Sequence, residues 1–198
     1  MRVRSIVTSG VLALFIIGGA FSQTFTTSMT AQEAKDQPLT PELHHSRLWI
    51  VTGGQTGVDR ATLDTALSLF LPVRGWCPKG RIAEDGIIPP VYPLQETTST
   101  DYAVRTEWNV RDSDGTLILA YGPLEGGTKL TLDLAKRYHR PSLVLNALSF
   151  SKNDMTHFWS WVQEHNIRIL NVAGPRESAK PGVIYSRALN VLKQLLGS

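Results

Sequence analysis

Gly53-Gly54-Gln55-Thr56-Gly57-Val58-Asp59-Arg60 is the first stretch whose residue types and spacing could do chemistry. Small residues let backbone N–H groups approach an anion, and a helix that starts there adds partial positive charge, which suits a phosphate. The stretch is not a Walker A motif, since it lacks the Gly-Lys-Ser/Thr ending, and it is not a GxGxxG fingerprint. The competing reading is a tight turn with Thr56 or Asp59 capping the helix. A second loop, Gly126-Gly127-Thr128, again precedes a helical pattern. Two such loops at the carboxyl ends of two strands mark a ligand crevice more strongly than one.

Three further groups could act on a ligand. Trp76-Cys77-Pro78-Lys79-Gly80-Arg81 leads into Glu84-Asp85-Gly86. Lys79 and Arg81 could hold a phosphate or carboxylate. Cys77 reads as a nucleophile, a soft-metal ligand or a small buried hydrophobe. The run Arg105, Glu107, Asn109, Arg111, Asp112 and Asp114 would ordinarily be a solvated face, but it lies between a glycine-rich stretch and a core strand. Arg176, in Asn171-Val-Ala-Gly-Pro-Arg-Glu-Ser178, is the anion candidate of a third loop. The acid–base candidates are Asp59, Glu84, Glu107 and Asp114. The five histidines, including His44 and His45, show no metal-ligand spacing, so no metal held by the protein is expected.

The elements that must position these residues alternate along the chain. Residues 48–51 read as a buried strand stopped by Gly53-Gly54, and a helix from Asp59 places Leu63, Ala66, Leu67 and Phe70 at helical spacing until Pro72. Strands follow at 116–120, 142–145 and 167–172, and helices at 101–111, after 126, and at 155–165. A last helix after Pro181 carries Ile184, Ala188, Val191, Leu192 and Leu195. Within 101–111, Tyr102, Arg105, Asn109 and Asp112 share one face, while Val104 and Trp108 fall on the face expected to be buried. Residues 75–100 lack periodicity and read as a long irregular stretch. The expectation is an α/β domain: a Rossmann-like, open, mostly parallel sheet with helices on both faces.

Composition limits the partners. The 198 residues have 42% hydrophobic and 19% charged content, ordinary for a globular domain. The net charge is +3, and setting aside Arg2 and Arg4 leaves 18 Lys+Arg against 17 Asp+Glu. That is no electrostatic footprint for nucleic acid. The lone cysteine, Cys77, excludes an intrachain disulfide. Residues 1–28 combine a basic start with an apolar run and Ala20-Phe21-Ser22, the pattern of a signal peptide or marginal anchor. If the chain is made from Met29 instead, a cytoplasmic protein is expected; if 1–28 are translated, an exported or membrane-anchored one. Residues 29–46 read as a flexible leader, 47–198 as the domain, and membrane contact is expected only through 1–28.

Taken together, Gly-Gly-Gln-Thr-Gly-Val-Asp-Arg-Ala (53–61), Gly-Trp-Cys-Pro-Lys-Gly-Arg (75–81), Ala-Glu-Asp-Gly (83–86), Arg-Thr-Glu-Trp-Asn-Val-Arg-Asp-Ser-Asp (105–114), Gly-Gly-Thr (126–128) and the 171–178 loop resemble the signature blocks of the molybdenum-cofactor carrier family. The resemblance runs from about residue 48 to 196. It implies a Rossmann-like homo-oligomer that binds molybdenum cofactor, a phosphorylated pterin whose dithiolene chelates molybdenum. The wider group resembles the lysine-decarboxylase-like phosphoribohydrolases, whose loop reads Pro-Gly-Gly-x-Gly-Thr-x-x-Glu. Here Pro123, Gly127 and Thr128 match, and Thr131 replaces the catalytic-type Glu. A hydroxyl cannot serve as a carboxylate base at neutral pH.

The expected function is therefore binding of a phosphorylated small molecule, molybdenum cofactor (molybdopterin) or a related pterin or nucleotide, for carriage or storage. The alternatives are a nucleotide-processing hydrolase and a nucleotide-sensing domain. In the carrier reading Gly53, Gly54, Thr56, Gly57, Gly127 and Thr128 form the phosphate cradle, and Gln55, Asp59, Arg60 and Gly126 are further ligand-binding residues. Lys79, Arg81, Arg105 and Arg176 supply charge, Arg105 by pairing with the phosphate, and Asn109 or Asp112 bonds the heterocycle.

Overall fold

A computed structural model describes residues 48–197, so residues 1–28, the leader and both His44 and His45 lie outside the described residues. Among the described residues eight strands and five helices alternate: β1 (Trp49–Val51), α1 (Val58–Ser68), β2 (Val73–Cys77), β3 (Ile82–Ala83), β4 (Gly86–Ile87), β5 (Leu94–Glu96), α2 (Tyr102–Arg111), β6 (Gly115–Ala120), α3 (Gly126–Arg137), β7 (Ser142–Asn146), α4 (Lys152–Glu164), β8 (Ile169–Ala173) and α5 (Ile184–Leu196). Six strands form one sheet in the order β5-β2-β1-β8-β6-β7, with every pairing parallel. Strands β3 and β4 make a separate antiparallel hairpin.

Helices cover both faces of this sheet. Every residue of β6 is buried, which a strand achieves only when neither face meets water. Helix α5 packs on α1 and α4, while α2 packs on α3. The core includes Ile50, Leu63, Leu117, Leu119, Phe158, Leu170, Val172 and Leu192, and α5 contributes Ile184, Ala188, Val191, Leu192 and Leu195 at the expected helical spacing. A smaller cluster of Val110, Leu134 and Ala135 fills the α2–α3 contact.

Three local expectations change. Phe70, placed on the inner stripe of α1 by its spacing, lies past the helix end with φ 56° and is 95% exposed, and Leu67 is also exposed. Val104 and Trp108 are half-buried, while Thr106, Asn109 and Val110 are the buried residues of α2. The stretch expected to be irregular holds β2, the hairpin and β5. Strand β2 escapes periodicity because Gly75 interrupts Val73-Arg-Gly-Trp-Cys77; a Cβ there would lie 1.9 Å from the Thr52 carbonyl oxygen, so close strand packing demands glycine.

Parallel strands put all carboxyl ends on one edge. Strand β1 leads through α1 to β2 on one side, and β6 leads through α3 to β7 on the other. The direction of winding reverses across β1, β8 and β6, which is where open α/β sheets leave a crevice for ligands.

Candidate ligand-binding site

A cleft of about 610 Å³ opens at this reversal. Its walls are Gln55 and Asp59 after β1, Tyr121 to Glu125 after β6, Gly174 to Arg176 after β8, and the facing residues of α2 and α3. The volume is in the range of small-molecule sites, about 300–1,000 Å³.

The α3 end of the cleft presents a helix start with free amides. Glu125 occupies the N-cap position without a side-chain cap, and the amides of Thr128 and Lys129 turn back to its carbonyl at 3.1 Å each. The amides of Gly126 and Gly127 have no hydrogen-bond partner among the described residues. A Cβ at either glycine would meet nothing within 4 Å, so the space over this helix start is open. Unsatisfied amides and the helix dipole favour negative charge there. Thr128 and Thr131 line the same wall, and the Thr131 hydroxyl donates to the Gly127 carbonyl at 2.9 Å, which steadies the first turn.

The β1–α1 loop has a different part. Gly53 gives room to the Arg105 guanidinium, whose Nη1 would sit 1.7 Å from a Cβ. Gly54 has φ 82° and packs on Leu94 and Ile88, 2.5 and 3.0 Å from where its Cβ would be. A Cβ at Gly57 would lie 2.5 Å from the Pro175 carbonyl oxygen, so glycine there lets this loop touch the β8–α5 loop. None of these three glycines lines the cleft. Their smallness serves packing between protein groups, whereas that of Gly126 and Gly127 leaves empty space.

At the base of the cleft Arg105 Nη1 donates to Asp59 Oδ2 at 3.0 Å, and the Gln55 amide donates to the same oxygen at 3.2 Å. The side chains are 14% and 4% exposed. Burial raises the Asp59 carboxyl above its ordinary 3.8, and the Arg105 charge and the Gln55 amide oppose the rise. The guanidinium is thus neutralised by a carboxylate, which weakens it as a phosphate partner.

Glu84, at the hairpin tip, joins the loops beside the cleft. It accepts from the hydroxyls of Thr56 and Ser178 and from the Ser178 amide at 3.1 Å, and Arg176 Nε lies 3.8 Å away. Gln55 Oε1 accepts from the amides of Thr56 and Glu84 at 3.0 and 2.9 Å. Partial burial pushes the Glu84 carboxyl up, but the Ser178 and Thr56 hydrogen bonds and the Arg176 charge outweigh it and hold it below the ordinary 4.5.

The other candidates fall outside the cleft. Arg60 pairs with Asp85 at 3.2 Å and lies over the Tyr92 ring. Arg81 donates to four carbonyls, of Ile88, Pro89, Tyr92 and Leu94, and so shapes the segment between the hairpin and β5. Lys79 is exposed at the turn after β2. Asn109 bonds the Trp76 amide and carbonyl at 2.8 and 3.0 Å, and Asp112 accepts from the Trp76 indole at 2.8 Å. These two tie α2 to β2. Glu107 accepts from the Tyr138 hydroxyl, and Asp114 holds the amides of Arg168 and Ile169 at the amino end of β8, the sheet edge opposite the cleft. Cys77 is fully buried, and burial pushes its thiol up, which suits a small core residue and not a thiolate.

Sequence reasoning missed Tyr121 and Lys180. Tyr121 directly follows the buried run of β6 and donates to the Ile184 carbonyl; position after the strand was its signal. Lys180 joins Arg176 among the cleft-lining residues as a cation from the β8–α5 loop. Among the described residues no group of His, Cys, Asp and Glu could hold a metal ion, and no helix is long and apolar enough to cross a membrane.

Residues 50–196 match the circularly permutated YpsA SLOG family. A solved structure from Syntrophus aciditrophicus, named "Putative molybdenum carrier protein", is 44% identical and superposes with a TM-score of 0.73, covering 77% of this chain and 96% of that one. The structure of (E)-4-hydroxy-3-methyl-but-2-enyl diphosphate reductase is 9% identical at a TM-score of 0.32, covering 78% of this chain and 65% of that one. No curated protein matches the chain.

Proposed function

Because the chain belongs to the circularly permutated YpsA SLOG family, we propose that its cleft binds a phosphorylated small molecule, molybdenum cofactor or a related pterin or nucleotide, and that the protein carries or stores it. The observation that carries this reading is the start of α3. There two glycine amides without partners among the described residues open into about 610 Å³ of cleft, with no atom within 4 Å of either absent Cβ. The name of the 44% identical relative supports the choice of cargo. Metal would arrive already chelated by the cargo.

Binding is favoured over hydrolysis by one residue. Thr131 stands where the related hydrolases carry a glutamate, and its hydroxyl is engaged with Gly127. The test is mass spectrometry of what leaves the anaerobically purified protein on denaturation, with parallel incubation against nucleoside monophosphates. A stoichiometric phosphorylated pterin or nucleotide is the expected result. Release of free base would replace the carrier reading with an enzyme, and absence of any phosphorylated ligand or phosphate binding would remove the reading altogether.

A further inference from the structure

The Asp59–Arg105 pair offers half of itself to the cleft. Both hydrogen bonds at the carboxylate fall on Oδ2, and the Thr52 hydroxyl beside it gives its proton to the Val172 carbonyl at 3.0 Å. Among the described residues the fully enclosed polar side-chain atoms without a partner are Arg60 Nε, Thr65 Oγ1 and Arg105 Nε. Asp59 Oδ1 and Arg105 Nη2 have no hydrogen-bond partner among the described residues and are not fully enclosed, and both residues line the cleft. An acceptor on a side chain 4% exposed, beside a guanidinium donor, is an unmet pair of hydrogen-bonding groups in a mostly buried place.

We infer that Asp59 and Arg105 read the lactam edge of the ligand's heterocycle, Oδ1 accepting a ring N–H and Nη2 donating to the adjacent carbonyl. This rests on the reading of the α3 end as the phosphate site. The pair is neutral overall, so a phosphate brought to it would meet a carboxylate as well as a cation, while a neutral H–N–C=O edge matches it group for group. The class is the oxo-pyrimidine ring shared by pterins and guanine. Adenine presents a ring-nitrogen acceptor and an amino donor instead, the reverse of what Oδ1 and Nη2 can pair with. Gly53 supports the assignment, since a side chain there would occupy the guanidinium's place.

The experiment is calorimetric titration of the full chain with ribose 5-phosphate, guanosine monophosphate, adenosine monophosphate and 6-hydroxymethylpterin phosphate. The two lactam rings are also tested with the lactam nitrogen methylated. At least one lactam phosphate should bind roughly ten- to a hundredfold more tightly than ribose 5-phosphate and adenosine monophosphate, the span of hydrogen bonds to charged groups. Which of the two binds identifies the source. Methylation should remove the gain. Asp59→Asn, and Gly53→Ala, which keeps both charges but displaces the guanidinium, should weaken lactam binding by the same factor and leave ribose 5-phosphate unchanged. If ribose 5-phosphate binds and neither lactam ring adds affinity, or methylation changes nothing, the inference falls and the phosphate site stands. If no phosphorylated probe binds wild type, the proposed function falls and takes this inference with it. The methylation arm uses wild type alone, so it decides even if a variant does not fold.

Discussion

At the scale of single residues, the glycines separate into those that leave open space in the cleft and those that make room for protein groups. Gly127→Val should abolish binding of a phosphorylated ligand while leaving the melting curve close to wild type, because its side chain enters empty space at a helix start. Gly54→Val should instead destabilise the fold, by roughly 1–3 kcal/mol from overpacking and by more from its positive φ, because Leu94 and Ile88 already fill that place. Chemical denaturation of both variants checks the contrast, and equal stability would show that Gly54 is not a packing glycine. The sequence alone assigns both loops to one phosphate cradle; they look alike as strings and differ in what stands opposite them.

Arg105 carries a second residue-scale prediction. Removing it leaves Asp59 buried without its main counter-charge, so Arg105→Ala should cost about 3–5 kcal/mol at neutral pH. The cost should depend on pH. Loss of Arg105 removes a force that lowers the Asp59 pKa, so the folded value moves further above the ordinary 3.8. A raised folded pKa means that stability is retained below the unfolded value and lost as pH rises through the folded one. The variant should therefore lie nearest to wild type around pH 4 and fall away as pH rises, as read from melting temperatures across that range. A deficit that grows toward low pH would mean that the pair is not what Arg105 stabilises.

At the scale of elements, the β3–β4 hairpin holds the loops around the cleft through Glu84. Its folded pKa is depressed, so the clasp is fully formed above 4.5 and opens as pH falls through the lower folded value. The Ser178 amide resonance should titrate with a midpoint below 4.5, and this titration should vanish in Glu84→Gln. A midpoint at or above 4.5 would show that Ser178 and Thr56 do not hold the carboxylate. The stability effect should be small, under about 1 kcal/mol, because the Glu84 side chain is a fifth exposed and such pairs contribute little. The hairpin and β5 were unreadable in the sequence for a related reason. They are short, and carbonyls held by Arg81, rather than a run of β-formers, set the path between them.

For the whole molecule, the family match starts at residue 50 and the described core draws on residues 48–196. A chain starting at Met29 is accordingly expected to melt at the same temperature as the longer one and to bind the same ligand. A large fall in melting temperature on truncation would mean that the N-terminal segment belongs to the folded unit and not to targeting.

The sequence by itself determined the alternation of buried strands and amphipathic helices, hence the parallel sheet, and the family. These are local: Leu117, Ile118 and Leu119 read as strand, and Ile184, Ala188 and Val191 as one helix stripe, whatever surrounds them. Only the tertiary structure decided which polar residues meet. Arg105, Asn109 and Asp112 share one face of α2, yet Arg105 turns to Asp59 in the cleft while Asn109 and Asp112 turn to Trp76 on β2. A hydrogen bond depends on two partners within about 3 Å, and those pairs are separated by 46, 33 and 36 positions along the chain. Spacing within one helix gives the direction of a side chain, but only the packing of the sheet and helices brings its partner there.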